Sequence, residues 1–416
     1  MRSELDVRRP KDVVLSVLSI VAGVLLFGAL LTFMIYRKQT EDVPQAQAPS
    51  ESYSELTAEE IGLSDSSENR SETLQESTEV TYQPGEYKGD NTYQLPDKET
   101  ITFTFAGDVL LDDNYSIMGT YRARGSILEK CIDPNLLARM RESDLCLVNN
   151  EFTYTDRGEP TEGKSFTFRA KPENVEIIKE MGVDVVSIGN NHTYDYGEIS
   201  LLDTIDTLEK AELPFVGAGR NLEEASKIIY YENDHMRIGL VCATQIERYG
   251  NPNTKGATED SPGTFRCMDP AALVEKIKEA DANCDVVVLY VHWGTESTDV
   301  LDRYQIPQAT AYAEAGADVI VGAHPHVLQE IGYEGDVPVF YSLGNFWFSS
   351  KNLDSCLLTL EIGKEGVEKA QFVPAITESC STLEATDAEK VRILDYMRSI
   401  SEDALIDENG YVTKKQ

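Results

Sequence analysis

Four of the five histidines in this chain fall where a strand would end or a short turn would follow. His192 lies in SIGNNHTYDYG, His292 in LYVHWGTE, and His324 and His326 in VGAHPHV. Two other strand ends carry carboxylates: Asp108 closes ITFTFAGD, and Glu151 follows LCLVNN. Neutral imidazoles and carboxylates converging from several rigid strands are the donor set of a divalent-cation site. In His324-Pro325-His326 the proline restrains the backbone between two rings that can address neighbouring ions. Asn191 offers an amide oxygen, and the adjacent His192 can give a proton to a leaving group.

Residues around this set take supporting readings. Asn149 and Asn150 reach into the same cleft as Glu151, Asn149 beside the ligands rather than among them. Asp195 shapes the turn after His192. Glu296 either orients His292 or is a surface charge, and Trp293 forms a wall of the cleft. Arg169, in SFTFRAKP, carries a guanidinium suited to clamping a carboxylate or phosphate. Asn345, in SLGNF, sits in a strand–turn that closes the site. His235, in the polar turn ENDHMR, reads as a solvated surface residue.

Positioning such a set requires strands alternating with helices. Order begins at Ile101, and further strands are legible at 145–148, 183–188, 237–243, 285–291, 318–321 and 339–342. Several are continuous apolar runs, as in strands buried on both faces. Helical spacing occupies 172–181, 198–211, 270–280 and 306–315. The alternation predicts an α/β architecture with functional loops at strand ends. The segment 356–377 reads as a hairpin of edge strands turning at Lys364-Glu365-Gly366, followed by a closing helix over 387–401.

Outside this body the composition changes. Residues 13–36 contain no charge and exceed the roughly 20 residues needed to span a bilayer. Arg2, Arg8, Arg9 and Lys11 precede the span, and after Lys38 no basic residue occurs before Arg70. That asymmetry predicts a cytoplasmic tail at 1–12, one transmembrane helix at 13–36, and the main domain on the extracytoplasmic side of the cell membrane. Residues 37–99 are rich in Ser, Glu, Gln and Thr, and read as a disordered acidic stalk. From Gln39 to Glu99 there are 15 acidic residues against Arg70, Lys88 and Lys98. With 72 acidic and 37 basic side chains the whole chain carries a formal charge of -35, which disfavours nucleic-acid partners and suits cation capture. The seven cysteines are widely spaced without a CxxC pair, so a disulfide scaffold or zinc–cysteine site is not expected.

In order along the chain, GDVLL, NNEFT, NNHTYDYG, HWGTE, GAHPHVLQ and SLGNF resemble the successive motifs of the CapA family, named for a capsule and poly-γ-glutamate biosynthesis protein. That family is similar to the calcineurin-like metallophosphoesterases. The resemblance covers residues 101–348, about 60% of the chain. It implies a four-layer αββα sandwich over 100–350, completed by strands and a helix in 351–416. It also implies one or two divalent ions (manganese, iron, zinc or magnesium). Asp108 and His326 would bind the first, Glu151 would bridge, Asn191, His292 and His324 would bind the second, and His192 would assist a leaving group. One departure is Leu110, where the superfamily's first motif has a histidine ligand. The other is Glu151, which replaces a bridging aspartate. Two functions are therefore open: assembly or export of capsule or poly-γ-glutamate, with an anionic polymer and polymer-synthase subunits as partners, or metal-dependent hydrolysis of an envelope substrate.

Overall fold

The computed structural model describes residues 85–246 and 255–416. The expected span at 13–36, the tail before it and the stalk up to residue 84 lie outside them. Among the described residues, no helix is long and apolar enough to cross a membrane.

Two large sheets dominate the fold. In the ten-stranded sheet, Ile101–Val109, Leu145–Asn150, Val185–Ser187 and Phe215–Val216 follow one another in parallel. On the other side of Ile101–Val109 the antiparallel hairpin Leu353–Gly363 and Gly366–Glu378 is added, then Tyr411–Lys414 and Ala404–Ile406. In the eight-stranded sheet, Arg237–Thr244, Val286–His292, Val319–Ala323 and Val337–Phe340 run parallel. Ile229–Glu232, Thr92–Gln94 and Tyr87–Gly89 extend one edge and Ile331–Glu334 the other.

Side-chain alternation along the strands explains the layering. In Val286–His292 every residue is buried. Val286, Val288 and Tyr290 face one apolar core and Val287, Leu289 and Val291 another, so both faces must be covered. The first of these cores also holds Phe103, Phe105, Leu145 and Leu147 of the ten-stranded sheet, and the Phe105 and Tyr290 rings stack with centroids 6.5 Å apart. The two sheets therefore pack face to face. The outer face of the ten-stranded sheet buries Val109, Cys146 and Val148 against Ile117, Leu136, Leu137, Leu201, Ile205 and Leu208 of its helices. The outer face of the other sheet is covered by Leu273 and Ile277 of Ala271–Asp281 and by Ala309 and Tyr312 of Gln305–Glu314. The order is helices, sheet, sheet, helices.

Three expectations change. Residues 85–99 are not stalk: Thr92–Gln94 pairs in parallel with Ile229–Glu232, and Leu95 is buried in the inter-sheet core. A three-residue strand in an acidic segment has too little apolar periodicity to be read from sequence. The hairpin at 353–378 is not an edge, because Leu353–Gly363 lies directly against Ile101–Val109 and Gly366–Glu378 is flanked by Tyr411–Lys414. Trp293 is no cleft wall. It is fully buried in the outer core of the eight-stranded sheet, donates from Nε1 to the Tyr341 carbonyl at 2.9 Å, and stacks on the Tyr341 ring. The seven cysteines are all free, and all but Cys284 are buried.

Candidate metal centre

Strand register brings the chemistry-bearing residues together. Across the ten-stranded sheet Asp108 pairs with Asn149 on one side and with Asn345 on the other. Across the eight-stranded sheet His292 lies beside Thr244 and Ala323, and His324 follows Ala323 directly. The carboxyl ends of parallel strands from both sheets thus open on one cleft, the usual place for ligands in such folds. The loop after Val185–Ser187 enters it through Asn190. Its amide nitrogen donates to Asn149 Oδ1 and to the Asn150 carbonyl, both at 3.0 Å, and its Oδ1 accepts the His192 backbone N–H at 3.0 Å.

Glu151 occupies the centre. It is fully buried, and its Oε1 has no hydrogen-bond partner. Around that oxygen, Nε2 of His192 and of His326 lie at 3.8 Å and Nε2 of His292 at 3.9 Å. A buried acceptor without a donor costs about 1–3 kcal/mol or more, so a carboxylate oxygen facing three imidazole nitrogens beyond bonding distance calls for a cation. Two groups of donors satisfy that demand. Glu151, His292 and His324 form one, and Asp108, Glu151 and His326 form the other; within each group the ligand atoms lie within 4.8 Å of one another. Glu151 belongs to both.

The surrounding contacts fix these donors. Asn149 Nδ2 donates to Asp108 Oδ1 at 2.8 Å and to Glu151 Oε2 at 3.2 Å, and lies 3.3 Å from His292 Nδ1. Asn191 Oδ1 is 2.8 Å from His292 Nε2. His326 Nδ1 lies 3.0 Å from Asp108 Oδ2 and 2.9 Å from Asn345 Oδ1. His324 and His326 adopt φ of 101° and 60°. A backbone in that region costs about 1–3 kcal/mol for a residue with a side chain, and such strain is kept where a site demands it.

Electrostatics point the same way. Burial, reinforced by the charges of Asp108 and Glu296, holds the Glu151 carboxyl well above its ordinary range. Burial and the neighbouring His324 hold the His292 imidazole well below its own. For His326, burial pushes down, but the Asp108 carboxylate outweighs it and the net direction is up. Burial lowers His192, against the opposing pull of Asp195. The His292 imidazole, held neutral, and a carboxylate that resists ionisation without a counter-charge are groups whose ligand forms a divalent ion stabilises.

Of the residues singled out in the sequence, Asp108, Asn149, Glu151, Asn191, His192, Asp195, His292, His324, His326 and Asn345 come together. Glu296 is exposed, and its charge reaches Glu151 and His326. Arg169 is separate: its guanidinium lies 4.4 Å above the Tyr196 ring and its backbone N–H bonds Asp112. Leu110, where a histidine ligand was missed, is buried in the outer apolar core with its N–H on the Trp347 carbonyl. Asp195 does more than shape a turn. Its Oδ2 lies 2.6 Å from His192 Nδ1 and accepts the Phe168 N–H, while Oδ1 takes the Lys164 ammonium. Lys164, Asn190 and Phe168, whose ring lies 4.3 Å from that of His192, were not anticipated.

The profile described as bacterial capsule synthesis protein PGA_cap matches residues 102–350. Capsule biosynthesis protein CapA of Bacillus anthracis is 34% identical over 232 residues, covering 54% of this chain and 55% of that one. PGA biosynthesis protein CapA of Bacillus subtilis (strain 168) is 31% identical over 283 residues, 66% of this chain and 71% of its own. The chain thus spans little more than half of the first relative and over two thirds of the second. Among solved structures, a 5'-nucleotidase of Candida albicans SC5314 superposes with a TM-score of 0.35 at 11% identity, covering 67% of this chain and 52% of that one. At that distance the superposition carries no weight for the chemistry.

Proposed function

The chain belongs to the bacterial capsule synthesis protein PGA_cap family, and from that premise we propose that it serves capsule or poly-γ-glutamate biosynthesis or export through a cleft that binds divalent cations. Asp108, Glu151 and His326 would hold one ion. Glu151, His292, His324 and the Asn191 amide oxygen would hold a second. The unsatisfied Glu151 Oε1, shared by both donor groups, is the observation that carries the reading. Bound ions would supply positive charge and Lewis acidity for an anionic group. That charge answers the objection that a chain at -35 should repel an anionic polymer.

A second reading, a metallophosphoesterase-type hydrolase, is favoured by the His192–Asp195 pair. With Nδ1 held on Asp195, His192 turns Nε2 toward the cluster, where it can exchange a proton with a leaving group. Leu110, seated in the core, weighs toward the assembly role.

Metal analysis of protein purified without chelator tests the centre. Wild type should retain a divalent ion. Glu151→Ala should empty both positions, and His292→Ala should weaken binding by at least the roughly 10–100-fold seen when groups that merely orient ligands are removed. His192→Ala should keep the metal while any hydrolysis of phosphoesters or γ-glutamyl polymer falls. A metal-free wild type whose polymer output is indifferent to His324→Ala and His326→Ala would overturn the reading.

Anchoring by residues 13–36, with the domain outside the cell, belongs to the same proposal. It rests on the uncharged run and the lack of basic residues between Lys38 and Arg70. Protease added to intact protoplasts should release the domain; full protection of an otherwise unshielded domain contradicts this topology.

A further inference from the structure

Lys164 is a buried cation on an exposed loop. Its neighbours Glu162, Gly163, Ser165 and Phe166 face solvent, yet its own side chain is only 5% exposed. The ammonium donates to the Asn191 carbonyl at 2.6 Å and to Asp195 Oδ1, and it lies 3.3 Å from His192 Nδ1 without bonding it. Three more bonds fasten the same stretch to the histidine loop. The Thr161 N–H donates to the Asp195 carbonyl at 2.8 Å, Thr161 Oγ1 donates to the Tyr194 carbonyl at 3.0 Å, and the Phe168 N–H donates to Asp195 Oδ2 at 2.6 Å. Burying a lysine is costly unless its charge is matched, and here the match is the fully buried Asp195.

The consequence lies one residue away. With Oδ1 of Asp195 taken by the ammonium, Oδ2 is left to hold His192 through Nδ1. The ring's other nitrogen then faces Glu151 Oε1 at 3.8 Å. The bond to the Asn191 carbonyl fixes the neighbouring residue, whose Oδ1 sits 2.8 Å from His292 Nε2. We propose that Lys164 is a positioning residue of the cleft, locking Asn191 directly and His192 through Asp195 so that both side chains face the Glu151 donor groups. This rests on the metal reading above and adds the loop at 156–168 as part of the site's construction.

Charge and position predict opposite signs, which makes the proposal testable. Lys164 is close enough for its charge to reach Glu151. If it acted by charge alone, removing it would tighten a cation. If it acts by position, Lys164→Met should weaken manganese binding to the full-length protein by roughly 10–100-fold, as for other groups that orient ligands. Calorimetric titration with manganese reads the difference. Affinity equal to or tighter than wild type overturns the proposal.

Nitrogen-15 spectra of histidine-labelled protein give a second readout, manageable with five histidines in the chain. His192 should show hydrogen on Nδ1 in wild type and lose that signature in Lys164→Met, while the exposed His235 stays unmoved. An unchanged His192 signal also overturns the lock. Should Lys164→Met not fold, Asp195→Asn breaks the same relay, and His192 must move there. A wild type that takes up no manganese sinks the metal reading, and the nitrogen spectra still decide the lock.

Discussion

Glu151 and Asp184 are both carboxylic acids withdrawn from water, and their partners give them different consequences. Glu151 faces imidazoles. Asp184 accepts the Cys146 N–H at 2.8 Å beside Asp144, and burial, with that neighbouring charge adding, raises its carboxyl to about 7. An unfolded aspartate titrates near ~3.9, so the folded state binds this proton more tightly. The stability it contributes is complete below about pH 4 and is lost as pH rises through about 7. Asp184→Asn keeps an acceptor for the Cys146 N–H without the ionisation. Urea midpoints should therefore shift in favour of the variant between pH 5 and pH 8, on the order of 1.4 kcal/mol per pH unit inside the window. A constant gap across that range contradicts the assignment. At this scale much of the site was readable, because histidines and carboxylates at strand ends are few and have little other use there. Lys164 was not, because a lysine in GEPTEGKS looks like any solvated loop cation. Leu110, just past the end of Ile101–Val109, packs into the outer apolar core. Its burial contributes roughly 1.5–3 kcal/mol to the core.

Elements were legible in proportion to their apolar runs. Val286–His292, Arg237–Thr244 and Val319–Ala323 announce themselves, since a strand covered on both faces carries no polar punctuation. The helix Glu198–Lys210 shows its face through Leu201, Ile205 and Leu208. Ser116–Ala123 and Pro134–Glu142 were missed, being only eight and nine residues long, although Asp133 caps the second by accepting the Asn135 N–H. Tertiary closeness was equally hidden. A Cβ on Gly107 would stand 1.8 Å from the Gly344 carbonyl oxygen, so only glycine lets the strand bearing Asp108 meet the turn bearing Asn345. The loop after His292 is held by buried glutamines. Gln245 accepts the Gly294 N–H, Gln305 accepts the Asp302 N–H, and Gln329 donates to the Thr298 carbonyl. Gln305 in turn donates to Gln329, and Gln245 to Gln308. Such a network costs little only when complete, which explains why polar residues in an apparently ordinary loop and helix are fully enclosed.

At the scale of the molecule, the boundary between tail and domain decides what folds as one body. The described residues begin at Gly85. The first fifteen of them are tied to the domain. Leu95 is buried in the inter-sheet core and its N–H bonds the Glu232 carbonyl at 2.7 Å. Asn233 donates to the carbonyls of Pro96 and Lys98, and the Tyr93 and Tyr231 rings lie 5.7 Å apart. Leu95 alone contributes roughly 1.5–3 kcal/mol on burial, and each lost hydrogen bond about 0.5–1.5 more. A chain beginning at Gly85 should accordingly unfold at the temperature of the full-length protein. One beginning at Thr100 exposes the edge strand Ile229–Glu232 and should unfold at least ~4 °C lower, since a domain this large shifts by about 2 °C per kcal/mol. Its newly bare strand edge should also favour aggregation. Scanning calorimetry of the three chains decides the matter: equal temperatures for all would show that 85–99 add nothing to the folded body, whereas a drop already at Gly85 would extend that body into the residues before it.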